Sequence, residues 1–244
     1  MAKTIEEGKV AIKKPWNVTD KRFVCFLDIM GFKDMVMRNS HETIYKMLEE
    51  FSKHRTTLEI PNPLPEELNF ESDPLKTVSF SDSIVIFTKN DSKGCLEILT
   101  YAASWLFAKA VESGIPLKGV ISHGEMSVNI SRQIFFGQPL IDAYLLEEDV
   151  TFYGIVIHNT AEKIINENLD TLLGKEFYFD CVVPFRTSKI KHYILDWVTS
   201  IETEFGTNKK TKALKLLQKQ REQTSGSPRR YIDNTIDVIN QINN

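Results

Sequence analysis

The feature that most constrains this chain is a short, continuously apolar run that ends in an aspartate. Residues 23–27 have the sequence FVCFL, and Asp28 follows directly. A run this short, rich in β-forming residues, predicts a strand that is buried on both faces. A carboxylate at the end of such a strand needs a partner, because a desolvated charge is otherwise very costly. The run therefore predicts a central strand with a candidate functional group at its end.

Helix and hairpin signals follow this strand. Gly31 interrupts the chain, and Ser40 is a good N-cap for a segment whose apolar residues recur at helical spacing. Residues 77–80 and 83–87 are strand-like and are separated by only two residues, which predicts a tight β-hairpin. The chain thus returns to the sheet directly after its first helical layer.

The remaining patterns complete an alternating order. An Ala- and Leu-rich helix is predicted over residues 92–113, and a strand over 117–122 that Gly124 ends. The order β-α-β-β-α-β, followed by α-β and a final hairpin, predicts an α+β, ferredoxin-like fold. In this fold, helices pack on one face of a mostly antiparallel sheet.

A length of 244 residues fits one large domain with flanking segments. Residues 1–20 are charged and aperiodic, which predicts a mobile lead-in, and residues 21–198 hold the predicted sheet. Residues 199–244 form a basic helical tail. We interpret its cations as a solvated helix face; the alternative is a patch for phosphates or an acidic partner.

Composition excludes several classes of function. The net charge of -3 makes non-specific nucleic-acid binding an unlikely default, and no apolar stretch is long enough to span a membrane. The three cysteines are widely spaced, which argues against a disulfide framework and against a thiolate metal site. We therefore expect a cytoplasmic protein that binds neither nucleic acid nor membrane.

Two aspartates are the candidate metal ligands. Asp28 ends a buried strand, and Asp82 lies at the tip of the predicted hairpin. If the two strands are neighbours, the carboxylates repel unless a hard cation such as Mg²⁺ or Mn²⁺ lies between them. The alternative is that each aspartate only caps its own turn. Gly31 lets the backbone approach a ligand, and amides at the following helix start would face a phosphate.

These segments resemble the class III nucleotide cyclases. Residues 26–32 match the family motif F-x-D-I-x-G-F, and residues 80–83 match the hairpin that carries its second metal aspartate. Residues 136–139 resemble the start of a later helix that opens with glycine. The resemblance spans about residues 23–193. The segments PLKGVISHGE and FFGQPLIDAYLLEE are most similar to the Pycsar pyrimidine cyclases of bacterial antiphage defence.

The resemblance implies a class III cyclase catalytic domain over residues 21–198 and a set of site residues. Two Mn²⁺ or Mg²⁺ ions would bind Asp28, Asp82 and the carbonyl of Ile29. The residues implied in nucleotide binding are Phe23 and Phe26 at the base, Gly31, Phe32, and Arg186 at the triphosphate. Each site of a class III cyclase is shared by two subunits, which implies a homodimer.

The implied activity is a uridylate cyclase (a lyase) that converts UTP into 3′,5′-cyclic UMP and pyrophosphate, with the product signalling to a separate effector. CTP is the alternative substrate. Purine cyclases select the base with a Lys and an Asp, where this chain has Val78 and Ile134. The family's Asn and Arg of the later helix are replaced by Ile141 and Leu145. A further alternative is therefore a degenerate cyclase-homology module that binds nucleotide without turnover.

Overall fold

The structure, a computed structural model, describes residues 15–58, 73–204 and 207–242. These residues form an eight-stranded sheet with strand order β2-β3-β1-β4-β6-β8-β7, and β5 pairs with β4. The strands are β1 (Thr19–Ile29), β2 (Leu75–Phe80), β3 (Ser83–Thr88), β4 (Leu117–Asn129), β5 (Ile134–Gly137), β6 (Ile155–Ile157), β7 (Tyr178–Pro184) and β8 (Lys189–Leu195). Only the β4–β6 pair is parallel within the described sheet.

Seven α-helices accompany the sheet in the described ranges. They are α1 (Phe32–Arg38), α2 (His41–Thr57), α3 (Lys93–Glu112), α4 (Gln138–Asp149), α5 (Asn159–Asn168), α6 (Lys209–Glu222) and α7 (Ser227–Gln241). The predicted order β-α-β-β-α-β corresponds to β1, α2, β2, β3, α3 and β4. The predicted α+β fold with a mostly antiparallel sheet is therefore confirmed.

Strand β1 lies between β3 and β4 and is buried on both faces, as its apolar run predicts. Phe23, Cys25 and Leu27 pack with α2 and α3 in the main core, whereas Val24 and Phe26 point to the other face. That second face is covered by α4. The expectation of helices on one face was therefore wrong, because a strand that is apolar at every position needs a cover on both sides.

Local signals set the ends of several elements. Ser40 caps α2 by accepting a hydrogen bond from the Thr43 N–H at 3.2 Å, as predicted. In the two-residue turn between β2 and β3, Ser81 adopts a left-handed conformation with φ 56°. Strand β4, however, continues through Gly124 to Asn129, because β1 and β5 pair with its second half. A glycine is no obstacle where neighbouring strands supply the hydrogen bonds.

The segments at both ends belong to the folded unit where the structure describes them. Trp16 Nε1 donates a hydrogen bond to the Asp73 carbonyl at 2.9 Å, and β1 already begins at Thr19. The predicted mobile lead-in therefore does not extend to residue 20, while residues 1–14 lie outside the described ranges. At the other end, Leu217 and Ile239 are buried in the main core, so α6 and α7 pack against the domain.

The cations of the predicted tail partly contact the protein itself. Lys212 Nζ lies 3.1 Å from Glu112 Oε1, and Arg221 Nε lies 2.5 Å from Asp233 Oδ1. Lys209 donates to the Thr199 carbonyl. Several of these cations therefore form ion pairs or hydrogen bonds between α6 and its neighbours. None of the described helices is long and apolar enough to cross a membrane.

Candidate active site

Asp28 lies in a row of side chains that crosses four strands. The strand registers pair Phe80 with Ser83, Ser83 with Asp28, and Asp28 with Lys118. Residues that face each other across a ladder point to the same side of the sheet, which here is the side covered by α4. This row lies at the edge of the sheet where β1 ends and the β2–β3 turn begins.

The turn brings Asp82 to the same edge. The Ile29 N–H donates to the Asp82 carbonyl at 3.0 Å, so the residue after Asp28 is bonded to the turn. Burial and the negative charges of Glu147 and Asp82 raise the pKa of Asp28 to about 7, although the charge of Lys118 acts in the opposite direction. The structure therefore places the two predicted metal aspartates together.

A buried ion pair lies beside these carboxylates. Lys118 Nζ lies 2.9 Å from Glu147 Oε1 and also donates to the Glu147 carbonyl at 2.8 Å. The ammonium is near Oε1 but not aligned with it, so Oε1 accepts no hydrogen bond from the described residues. Burial raises the pKa of Glu147, although Lys118 and Arg186 oppose that shift.

The next row on the same face is apolar. Val78 pairs with Val85, Val85 with Phe26, and Phe26 with Val120. Phe26 is only 7% exposed, and the ring of Tyr144 from α4 packs edge-on against it with centroids 5.8 Å apart. Phe26 therefore shares a face with Asp28, and the Tyr144 ring packs against it.

Phe23 lies elsewhere. Its side chain is fully buried in the main core on the opposite face, where it contacts the ring of His123 at 4.9 Å. Phe23 and Asp28 are five positions apart, and an odd separation along a strand puts two side chains on opposite faces. The structure therefore does not bring Phe23 to the candidate site. His123 is paired with Asp91 at 3.3 Å and also lies away from it.

The loop after β1 keeps the features expected of a phosphate-facing segment. Gly31 has φ 68°, and a Cβ built on it would meet nothing within 4 Å. No side chain caps the N-terminus of α1, which begins at Phe32. The Phe32 side chain is partly buried against the main core, and its backbone N–H lies at the start of α1. The Ile29 side chain is likewise buried, which leaves its carbonyl for the predicted metal role.

Arg186 lies in the β7–β8 turn, at the end of α4. Its backbone N–H donates to the Asp149 carbonyl at 2.9 Å. The positive charge of its side chain acts to lower the pKa of Glu147. The side chain is exposed. Arg186 is therefore brought to the rim of the cluster around Asp28, from which it can extend toward an anionic ligand.

Helix α4 presents apolar side chains where cyclases carry Asn and Arg. Ile141 and Leu145 are 52% and 56% exposed, and Tyr144 between them is 48% exposed. Asp142 accepts a hydrogen bond from the Gln138 side chain at 2.7 Å. The outward stripe continues onto β5 through Phe136, which is 62% exposed.

The donor set fits a hard divalent cation that also binds substrate oxygens. Asp28 and Asp82 offer carboxylates next to the Ile29 carbonyl. Burial, together with the nearby negative charges, disfavours ionisation of Asp28 when no cation is present. The described residues contain no cluster of three or more His, Cys, Asp or Glu side chains that could hold an ion. Two carboxylates completed by phosphate and water are the usual inventory for Mg²⁺ in a nucleotide site.

Sequence reasoning missed Lys118 and Glu147. The available signal was a lysine inside the apolar segment LKGVIS, since a charge there must find a partner or destabilise the strand. Its partner is 29 residues away on another element, so the pairing depends on how α4 packs.

Comparison with known proteins supports the fold. No protein-family model and no curated sequence matches the chain. A solved structure of the catalytic core of a rhodopsin-guanylyl cyclase with converted specificity, in complex with ATPαS, is 13% identical. It matches with a TM-score of 0.50 over 72% of this chain and 94% of that one. A bacterial light-regulated adenylyl cyclase is 9% identical, with a TM-score of 0.50 over 83% and 98%. The chain has the nucleotide cyclase fold.

Proposed function

We propose that the protein is a metal-dependent pyrimidine nucleotide cyclase that converts UTP into 3′,5′-cyclic UMP and pyrophosphate. The observation that carries the proposal is the neighbouring position of Asp28 and Asp82 at one edge of a cyclase-type sheet. The segments at residues 116–125 and 135–148, which resemble the Pycsar pyrimidine cyclases, support the choice of substrate class. The product would act on a separate effector in antiphage defence.

In the proposed reaction, the ribose 3′-oxygen bonds to the α-phosphorus, the bond from that phosphorus to the α–β bridging oxygen breaks, and the hydroxyl proton is released. Bound Mn²⁺ or Mg²⁺ would supply charge neutralisation at the phosphates and favour the ionised hydroxyl. Asp28, Asp82 and the Ile29 carbonyl would hold the ions. The backbone at Gly31 and Phe32 would face the phosphates, and Arg186 would contact the triphosphate.

The apolar row on the site's face supports a base pocket without the purine-selecting polar pair. Val78 is half-buried beside Val85 and Phe26, and Ile134 lies on β5 with 45% exposure. Neither side chain can form a hydrogen bond with the edge of a base. We propose UTP rather than CTP as the substrate because cyclic UMP is the usual product of the pyrimidine cyclases that the sequence resembles.

A homodimer with shared sites is part of the proposal. The exposed apolar stripe of Ile141, Tyr144 and Leu145, with Phe136 on β5, supports a second copy packing on this face. Such a stripe lies next to the Asp28 row, because α4 contacts β1 and β4. The second copy would then complete each site.

Incubation of the protein with Mn²⁺ and each of the four nucleoside triphosphates tests the proposal, with products identified by mass spectrometry. Cyclic UMP is expected. Turnover of ATP or GTP alone, or no cyclic product, would contradict the pyrimidine assignment, and cyclic CMP alone would favour the CTP alternative.

A second candidate is a cyclase-homology module that binds nucleotide without turnover. The apolar, exposed Ile141 and Leu145 favour it, because neither side chain can stabilise charge on a reacting phosphate. Metal-dependent nucleotide binding without any cyclic product would support the module over the enzyme.

A further inference from the structure

Lys118 does not pair with the carboxylate that the strand register places opposite it. Lys118 faces Asp28 directly in the β1–β4 ladder, so both side chains leave the same face of the sheet. Opposite charges at facing positions on antiparallel strands usually attract each other. Here the ammonium turns instead to the end of α4, where it meets Glu147 Oε1 at 2.9 Å and the carbonyls of Glu147 and Val150 at 2.8 and 3.4 Å.

Lys118 correspondingly forms no ion pair with Asp28, although its positive charge still acts on that carboxylate. Within the described part of the chain, the Asp28 carboxylate forms no ion pair and accepts one long hydrogen bond, from Ser83 Oγ at 3.4 Å. The Lys118 and Glu147 side chains are 10% and 5% exposed, so solvent does little to screen their attraction. The Glu147 carboxylate therefore neutralises the Lys118 charge at the end of α4, where two backbone carbonyls also accept from the ammonium.

We infer that Glu147 is a positioning residue that holds the Lys118 ammonium away from Asp28 and so keeps that carboxylate available to a divalent cation. The inference rests on the proposed function, since it takes Asp28 as a metal ligand. Glu147 itself does not bind the ion. It keeps the Lys118 ammonium from pairing with Asp28, which the strand register places opposite Lys118.

Loss of the Glu147 charge would remove the carboxylate with which Lys118 pairs. If Glu147 loses its charge, Lys118 has Asp28 as its next carboxylate on the same face, and the ion pair would compete with metal binding.

Mn²⁺ binding, followed by electron paramagnetic resonance of the nucleotide-free protein, tests the inference without turnover. Glu147→Gln keeps the size of the side chain and should weaken Mn²⁺ binding roughly tenfold, as loss of outer partners of a metal site often does. The double variant Lys118→Met/Glu147→Gln removes the competitor and should restore the affinity. Lys118→Met alone should bind Mn²⁺ at least as tightly as the wild type.

Each outcome has a defined meaning when circular dichroism shows that the variants remain folded. Unchanged affinity in Glu147→Gln, or equal weakening in the single and double variants, overturns the inference. The Asp28→Ala variant separates this failure from failure of the metal assignment. If wild-type protein binds no Mn²⁺, or if Asp28→Ala binds it as well as the wild type, the metal assignment itself falls, and the inference with it.

Discussion

The backbone N–H of Ile29 donates a hydrogen bond to the carbonyl of Asp82 at 3.0 Å, which fastens the β2–β3 turn to the end of β1. Because Asp28 precedes Ile29, the bond keeps the two aspartates beside each other, and the charge of Asp82 contributes to the raised pKa of Asp28. The chain therefore positions both carboxylates by its own backbone, before any ion is bound.

Replacing either aspartate should abolish cyclisation. Asp28→Ala and Asp82→Ala each remove one of two carboxylates that would hold the ions, and neither side chain belongs to a hydrophobic core. We expect no detectable cyclic product from UTP and Mn²⁺, with an unchanged circular dichroism spectrum. Asp180→Ala is the matched control, because Asp180 is an exposed residue of β7 paired with Lys191. Activity that survives in either site variant would show that the metal assignment is wrong.

The sequence was sufficient to predict the parts of the fold that depend on local signals. The run at residues 23–27 predicts a strand buried on both faces, and Ser40 is the N-cap of α2 as expected. The hairpin was also predictable, since two residues between strand-like runs leave room only for a tight turn. These signals place Asp28 at a strand end and Asp82 in a turn, and the β1–β3 pairing in the structure brings them to one edge of the sheet.

Other features depend on contacts between distant segments and carried no local signal. Strand β4 continues past Gly124 because β5 pairs with it. The docking of α7, by contrast, follows from the helical spacing of Ile232, Ile236 and Ile239, of which Ile232 and Ile239 are buried in the core. The position of Phe23 is a different case. Strand alternation already puts it on the face opposite Asp28, so the periodicity was a better guide than the motif that placed it at the base.

The pH dependence of stability should differ between wild-type protein and Asp28→Asn when a chelator removes metal. The folded-state pKa of Asp28 is raised to about 7, chiefly by burial, so the folded state retains a proton that the unfolded chain releases. Wild-type stability therefore falls as pH rises from about 4 to about 7, and the cost persists above that window. Because the group is partly solvated, the cost is on the order of 1–2 kcal/mol.

Differential scanning calorimetry in EDTA measures this effect. Asp28→Asn should unfold at a higher temperature than the wild type at about pH 8, and at nearly the same temperature at about pH 4. Adding Mn²⁺ at the higher pH should raise the melting temperature of the wild type but not that of the variant. Equal melting temperatures at the higher pH without metal would contradict the raised pKa.

The apolar stripe on α4 should be required for dimer formation. Ile141→Lys or Leu145→Lys puts a charge into the proposed interface, where it would be desolvated by the second copy. We expect each variant to sediment as a monomer in analytical ultracentrifugation and to lose activity, because the sites are shared.

Leu173→Lys is the control for this substitution. Leu173 is 53% exposed, which matches the two α4 residues, but its N–H bonds to Glu97 near the start of α3 on the other side of the sheet. This variant should remain a dimer. Wild-type protein that sediments as a monomer would contradict the shared-site proposal, and dimeric α4 variants would place the interface elsewhere.

Helix α7 should stabilise the segment that follows α4 through one buried hydroxyl. Thr235 is fully buried, and its Oγ1 accepts a hydrogen bond from the Tyr153 N–H at 2.8 Å. Thr235→Val keeps the shape of the side chain but leaves that N–H without its acceptor, which costs about 1–3 kcal/mol. Thr235→Ser keeps the hydroxyl and loses only a methyl group, worth roughly 0.8 kcal/mol. In urea denaturation, the free energy of unfolding should therefore be higher for the serine variant than for the valine variant. The Tyr153 amide should exchange faster than in the wild type only in the valine variant. If the two variants are equally stable, or if Tyr153 stays protected in Thr235→Val, the hydroxyl does not hold this segment in place.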